Sequence, residues 1–163
     1  MSRGATVPVS DTVTETRRVT TADLADLLPL LRAYCDFYEV APSDNALLAI
    51  SRALIADPDR EGVQLIARDD AGEAVGFATV YWSWNTLIAG RLGTMHDLFV
   101  VPTARGTGVA DMLIASCLAE CQTRGAAKLG WQTARDNERA QRVYERVGAT
   151  REEWVDYWLS VRP

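Results

Sequence analysis

The feature that most restricts this chain is a glycine turn set between a strand and a long helix. Asp97 to Val101 is a run that alternates and then turns apolar, and Pro102 closes it. Arg105-Gly106-Thr107-Gly108-Val109-Ala110 follows, and from there apolar residues recur at helical spacing: Val109, Met112, Leu113, Cys117 and Leu118. The first N–H groups of a helix have no intrahelical partner, and the aligned peptide dipoles add partial positive charge there. Glycines allow positive φ and close approach of a ligand to the backbone. A diphosphate suits such a place, although a simple turn that starts a core helix would read the same in isolation. The turn lacks the Gly-Lys-Ser/Thr ending of a P-loop and the third glycine of a dinucleotide fingerprint.

The turn implies a β-α unit, and periodicity supplies the rest. Alternating or apolar runs predict strands over 14–19, 63–68, 74–84, 91–101, 128–133 and 153–161. Helical spacing predicts helices over 22–37 and 106–124, over 137–147, and around Leu47, Leu48, Ile50, Leu54 and Ile55, ending near Asp57-Pro58. The order is β-α-α-β-β-β-α-β-α-β. Such an order predicts an α/β (α+β) fold with a mixed, mostly antiparallel sheet flanked by helices. The 163 residues suffice for one core, which places a single domain over 14–163 behind a polar lead-in over 1–13.

Charge and cysteines narrow the function classes. A net charge of −5 argues against nucleic acid as partner, because phosphate backbones need clustered Lys and Arg. No apolar run nears the ~20 residues that cross a bilayer, so no membrane partner is expected. The polar start has no secretory core, which makes a cytoplasmic location the default. Cys35, Cys117 and Cys121, with a single histidine, give no zinc-type spacing; no metal is expected, and the thiols read as small buried hydrophobes.

The stretch from Asp97 through Ala110 resembles the signature of the GNAT N-acetyltransferases. The downstream piece from Asn137 to Ala149, Asn-Glu-Arg-Ala-Gln-Arg-Val-Tyr-Glu-Arg-Val-Gly-Ala, resembles that family's second signature. The resemblance implies acetyl-CoA as co-substrate, with its diphosphate on the amides of Arg105, Gly106, Thr107, Gly108, Val109 and Ala110. It implies a backbone N–H around Leu98, Phe99 and Val100 that polarises the thioester carbonyl. It also implies a pantetheine arm passing Asn137 and Ala140, with the Tyr144 hydroxyl near the sulfur. Asn137, Ala140 and Tyr144 do share one helical face by spacing. Asn137 is equally a helix cap and Tyr144 equally a core tyrosine. A tyrosine hydroxyl can hydrogen-bond to a departing thiolate or protonate it.

His96 lies on the strand before the turn, where several family members carry Glu. An alkyl ammonium must lose a proton before it attacks, and histidine is a suitable base, directly or through a water. Alternation predicts His96 on one face with Leu98 and Val100, and Asp97 on the other with Phe99. Asp97 is the candidate to orient the amine, and Trp82 and Trp84 are candidate faces for an ammonium group. The expected partner is a small-molecule amine, attacked directly in a ternary complex. A protein or peptide N-acetyltransferase and a non-catalytic acyl-CoA sensor are the alternatives. The aromatic segment 153–161, as an edge strand, offers pairing with a second copy in a homodimer. The stretch Tyr81 to Trp84 and the overall length also resemble the diamine acetyltransferase branch of the family.

Overall fold

A computed structural model describes residues 15–161, so the lead-in over 1–13 and Thr14 lie outside the described residues. The chain forms two compact units, one ending at Gln132 and one starting at Thr133.

The first unit is built on a five-stranded sheet in the order β1-β2-β3-β4-β5. Its strands are β1 (Glu15–Arg18), β2 (Gly62–Arg68), β3 (Ala74–Asn85), β4 (Gly90–Val100) and β5 (Lys128–Gly130). The first four run antiparallel and β5 joins β4 in parallel. Three helices accompany them: α1 (Leu24–Phe37), α2 (Asp44–Ala56) and α3 (Val109–Thr123). This is the expected mixed, mostly antiparallel α+β fold.

Strand alternation sorts the core into two layers. Ile66, Phe77 and Phe99 pack beneath α1 and α2 with Leu27, Leu30, Leu31 and Leu47. The other face lies under α3. There a Cβ on Gly76 would meet Val109 and Leu113, and one on Gly93 would meet the Cys121 sulfur at 2.4 Å. Glycine at position 93 therefore lets α3 sit close to the sheet. Burial pushes the Cys117 and Cys121 thiols up, to about 12 and about 11, so both behave as apolar filler.

The second unit contains one helix, α4 (Glu138–Arg146). The strand expected over 153–161 is not formed. A strand exists only through a ladder with a neighbour, and none is present in this unit among the described residues. Trp154, Val155, Tyr157, Trp158 and Leu159 are instead all exposed. The edge on which the homodimer expectation rested is therefore missing. The predicted strand over 128–133 shortens to three residues for the same reason, since only Lys128, Leu129 and Gly130 find partners on β4.

Candidate active site

The glycine turn forms as its sequence dictates. A short 3₁₀ turn over Pro102–Ala104 ends β4, and the chain then passes through Gly106 at φ 79° and Gly108 at φ 91°. Both angles lie where a side chain is strained, and a Cβ at either position would meet nothing within 4 Å. Backbone conformation, not crowding, is what requires glycine here. Gly108 caps α3 without any side-chain hydrogen bond to the first turn. The turn is braced by Thr107 Oγ1, which donates to the Ala104 carbonyl at 2.7 Å. Arg105 Nε donates to the Val100 carbonyl at 3.0 Å, which ties the turn to the strand before it.

Next to this turn, β4 has an open edge. β5 pairs only with Leu92, Gly93 and Thr94, so Leu98, Phe99 and Val100 have β3 on one side and no strand on the other among the described residues. Unpaired strand amides beside an N-terminal helix turn fit a ligand that combines a diphosphate with an amide-bearing arm. Val109 is fully buried and anchors the helix; Ala110 behind it is half-buried.

His96 and Asp97 depart from simple alternation. β3 and β4 pair Thr79 with Asp97 and Val80 with Met95, which leaves His96 as an extra residue in a β-bulge. A bulge interrupts the two-residue period and re-aims side chains. The His96 ring consequently stacks edge-on against Tyr81 with centroids 5.1 Å apart. Tyr81 shares its face with Thr79 and Phe77, the face of Asp97 and Phe99. The expectation that His96 and Asp97 point to opposite faces is thus corrected: the bulge brings them together.

Asp97 is half-buried under α1. Burial pushes its carboxyl above the usual range, and the neighbouring Thr79 and Tyr34 hydroxyls and His96 only partly offset this. Tyr34 belongs to α1. Its hydroxyl reaches the His96 carbonyl at 3.4 Å, and its ring packs edge-on against Phe77 and Phe99. Burial, reinforced by the Asp97 charge, also raises the hydroxyl of Tyr34 and takes that of Tyr81 to about 12. Both tyrosines therefore stay protonated donors at neutral pH. Composition gave no reason to select Tyr34 or Thr79. The available signal was a polar residue interrupting an apolar strand.

The tryptophans are placed elsewhere. Trp82 is buried on the α3 face, opposite Gly93, with Nε1 donating to the Pro58 carbonyl at 2.9 Å and Arg124 stacked on its ring. The cavity of about 300 Å³ that Trp82 lines is bordered by Asp59, Arg91, Thr123 and Arg124, and does not include Asp97. Trp84 is exposed under Arg91, five residues beyond Thr79 on β3, or about 16 Å along the strand. Neither ring accompanies Asp97, because on the strand the even-numbered positions from Ala78 to Trp84 face away from Thr79.

In the second unit, the Asn137 Oδ1 accepts the Ala140 N–H at 3.2 Å and caps α4, while Tyr144 is half-buried on the following turns. Among the described residues, no group of three or more His, Cys, Asp and Glu is arranged to hold a metal ion. Among the described residues, no helix is long and apolar enough to cross a membrane.

The mixed sheet, the bulged strand β4 with its open edge and the glycine turn before α3 fit one class, the N-acetyltransferases. The comparison with known proteins gives the same class: the chain belongs to the Acetyltransferase (GNAT) family, whose model matches residues 27–149. An uncharacterized N-acetyltransferase of Bacillus subtilis, YhfO, is 32% identical over 146 residues, covering 89% of this chain and 96% of that protein. Thialysine N-epsilon-acetyltransferase of Mus musculus is 23% identical over 160 residues, covering 91% of each. Among solved structures, aminoglycoside N-acetyltransferase AAC(6')-Iy in complex with CoA superimposes with a TM-score of 0.81 at 23% identity, covering 96% of this chain and 99% of that one.

Proposed function

We propose that this N-acetyltransferase acetylates a primary amine of a small molecule by direct attack in a ternary complex. The observation that carries the reading is the half-buried Asp97 carboxyl at the β4 bulge, with His96, Tyr34 and Tyr81 as its neighbours. A carboxylate with aromatic side chains beside it suits an ammonium group. The solved structures that share the fold include an aminoglycoside acetyltransferase bound to a bisubstrate analogue, which supports a small cationic acceptor.

Acetyl-CoA supplies an activated acetyl thioester and a diphosphate handle. The amides from Arg105 to Ala110 hold that handle, and an N–H on the open edge at Leu98 to Val100 polarises the carbonyl. Asp97 orients the amine and His96, exposed at the bulge, accepts its proton, directly or through a water. Asn137 and Ala140 guide the pantetheine arm, and the Tyr144 hydroxyl protonates the leaving sulfur.

The test is thiol release from acetyl-CoA against a panel of diamines, amino acids, aminoglycosides and peptides. Release is expected with a small amine, and Tyr144→Phe is expected to lower kcat with acetyl-CoA affinity unchanged. Turnover confined to peptides would favour a protein acetyltransferase. Tight acetyl-CoA binding with no acceptor would favour a sensor.

A further inference from the structure

Two polar residues behind Asp97 have no part in the reading so far. Gln64 of β2 and Thr79 of β3 are polar side chains buried among apolar neighbours on the face beneath α1 and α2, and these two lie directly opposite each other in the ladder. Thr79 in turn lies opposite Asp97. Three polar side chains thus form one row across three strands, next to a parallel row of Ile66, Phe77 and Phe99. Gln64 is 4% exposed and Thr79 0%. Burying such groups costs free energy, and an apolar pair would pack there at no such cost.

We propose that Gln64 and Thr79 are positioning residues, a hydrogen-bond chain from Gln64 through Thr79 that holds the Asp97 carboxyl in one orientation for the incoming amine. The inference rests on the reading of Asp97 given above. A hydroxyl has a single hydrogen. Gln64 Nε2 donates to Thr79 Oγ1 at 3.1 Å, which occupies the oxygen and leaves the Thr79 hydrogen for Asp97. With the Gln64 amide reversed, the Thr79 hydrogen would turn away and its lone pairs would face a carboxylate. An ionised Asp97 is therefore compatible with this amide orientation and disfavours the reverse one. That orientation leaves Gln64 Oε1 buried without a partner, a cost that packing alone does not explain.

The groups that act on Asp97 come from three elements. Tyr34 and Cys35 face it from α1, Thr79 and Tyr81 from β3, and His96 from β4 itself. The Thr79 hydroxyl favours the ionised carboxylate, so its loss makes Asp97 harder to ionise.

Carbon-13 carboxyl NMR of the full chain can follow the Asp97 titration without any acceptor. Thr79→Val is expected to move it upward by about one pH unit, and Thr79→Ser to leave it near wild type. Gln64→Met should give a smaller upward move, about threefold in proton affinity. With an active acceptor, the acidic limb of the kcat profile should move with it; kcat near neutral pH should fall about tenfold in Thr79→Val while the KM for acetyl-CoA holds. A folded Thr79→Val with the Asp97 titration unchanged overturns the chain. So does Thr79→Ser behaving like Thr79→Val, which would make the role one of packing. Should Thr79→Val not fold, the wild-type Thr79 hydroxyl proton decides: it must exchange slowly with water and show a nuclear Overhauser contact to the Gln64 amide, and its absence overturns the proposal. A titration that responds as expected in a protein that acetylates no amine would retain the chain and refute the function assigned to Asp97.

Discussion

Two carboxylates meet the α1 end of this sheet and are treated in opposite ways. Asp23, at the entry to α1, is 2% exposed and receives five hydrogen bonds: two from Arg17, one from Arg68, and one each from the Thr20 backbone and hydroxyl. Above all the Arg17 guanidinium holds its carboxyl well below the usual range, so it stays ionised. Asp97 has hydroxyls and an imidazole in place of arginines, and burial drives its carboxyl the other way. A buried charge that is fully paired is structural; one left underpaired retains affinity for a proton or an ammonium group. That contrast separates the part of the molecule that holds β1, β2 and α1 together from the part able to do chemistry.

The largest effect should fall on Asp23. Asp23→Ala leaves Arg17 and Arg68 without their shared counter-ion; because Arg17 is partly solvated and Arg68 keeps Asp26, the cost is about 2–3 kcal/mol, below that of a fully buried pair. In a domain of this size that is a Tm decrease on the order of 10 °C, with activity per folded molecule retained. A loss below about 1 kcal/mol, measured by urea unfolding, would reduce the network to an ordinary surface ion pair. Next comes Asp97→Asn, which keeps the shape and removes the charge. Acetyl transfer should fall about 10²-fold in kcat/KM, with stability equal to wild type or slightly higher. Full activity in that variant would remove Asp97 from the site and leave its neighbour His96 to act alone.

Much of this arrangement was legible in the sequence, because local rules decided it. Gly106 and Gly108 announce positive φ, Pro102 ends β4, and the heptad-like recurrence from Val109 to Cys117 gives α3. The bulge at His96 was not legible, since it depends on how β3 and β4 settle their register and nothing in the residues His96-Asp97 marks it. The row Gln64-Thr79-Asp97 was hidden for a related reason: its members lie 15 and 18 residues apart, and only the ladder makes them neighbours. The aromatic-rich run over 153–161 misled in the opposite direction. Alternation gives a strand two usable faces, but it does not supply the partner that a strand needs.

The finest comparison is in the pH dependence of stability, where the two carboxylates should act with opposite sign. Asp23 binds its proton more weakly folded than unfolded, so its contribution is complete above the unfolded carboxylate value of about 3.9 and declines as pH falls through the lower folded value. Asp97 binds its proton more tightly folded than unfolded. Its ionisation therefore costs stability as pH rises from about 3.9 through the higher folded value, and the cost is constant above that. Urea midpoints collected from pH 3 to pH 8 separate the two. Asp97→Asn should flatten the decline on the rising-pH side and leave the acid side untouched; a mild change at the other site, Asp23→Asn, should flatten the acid side alone. If both variants merely displaced the whole curve without altering either slope, the two carboxylates would not differ in proton affinity, and the division between a structural and a reactive acid would have no thermodynamic basis.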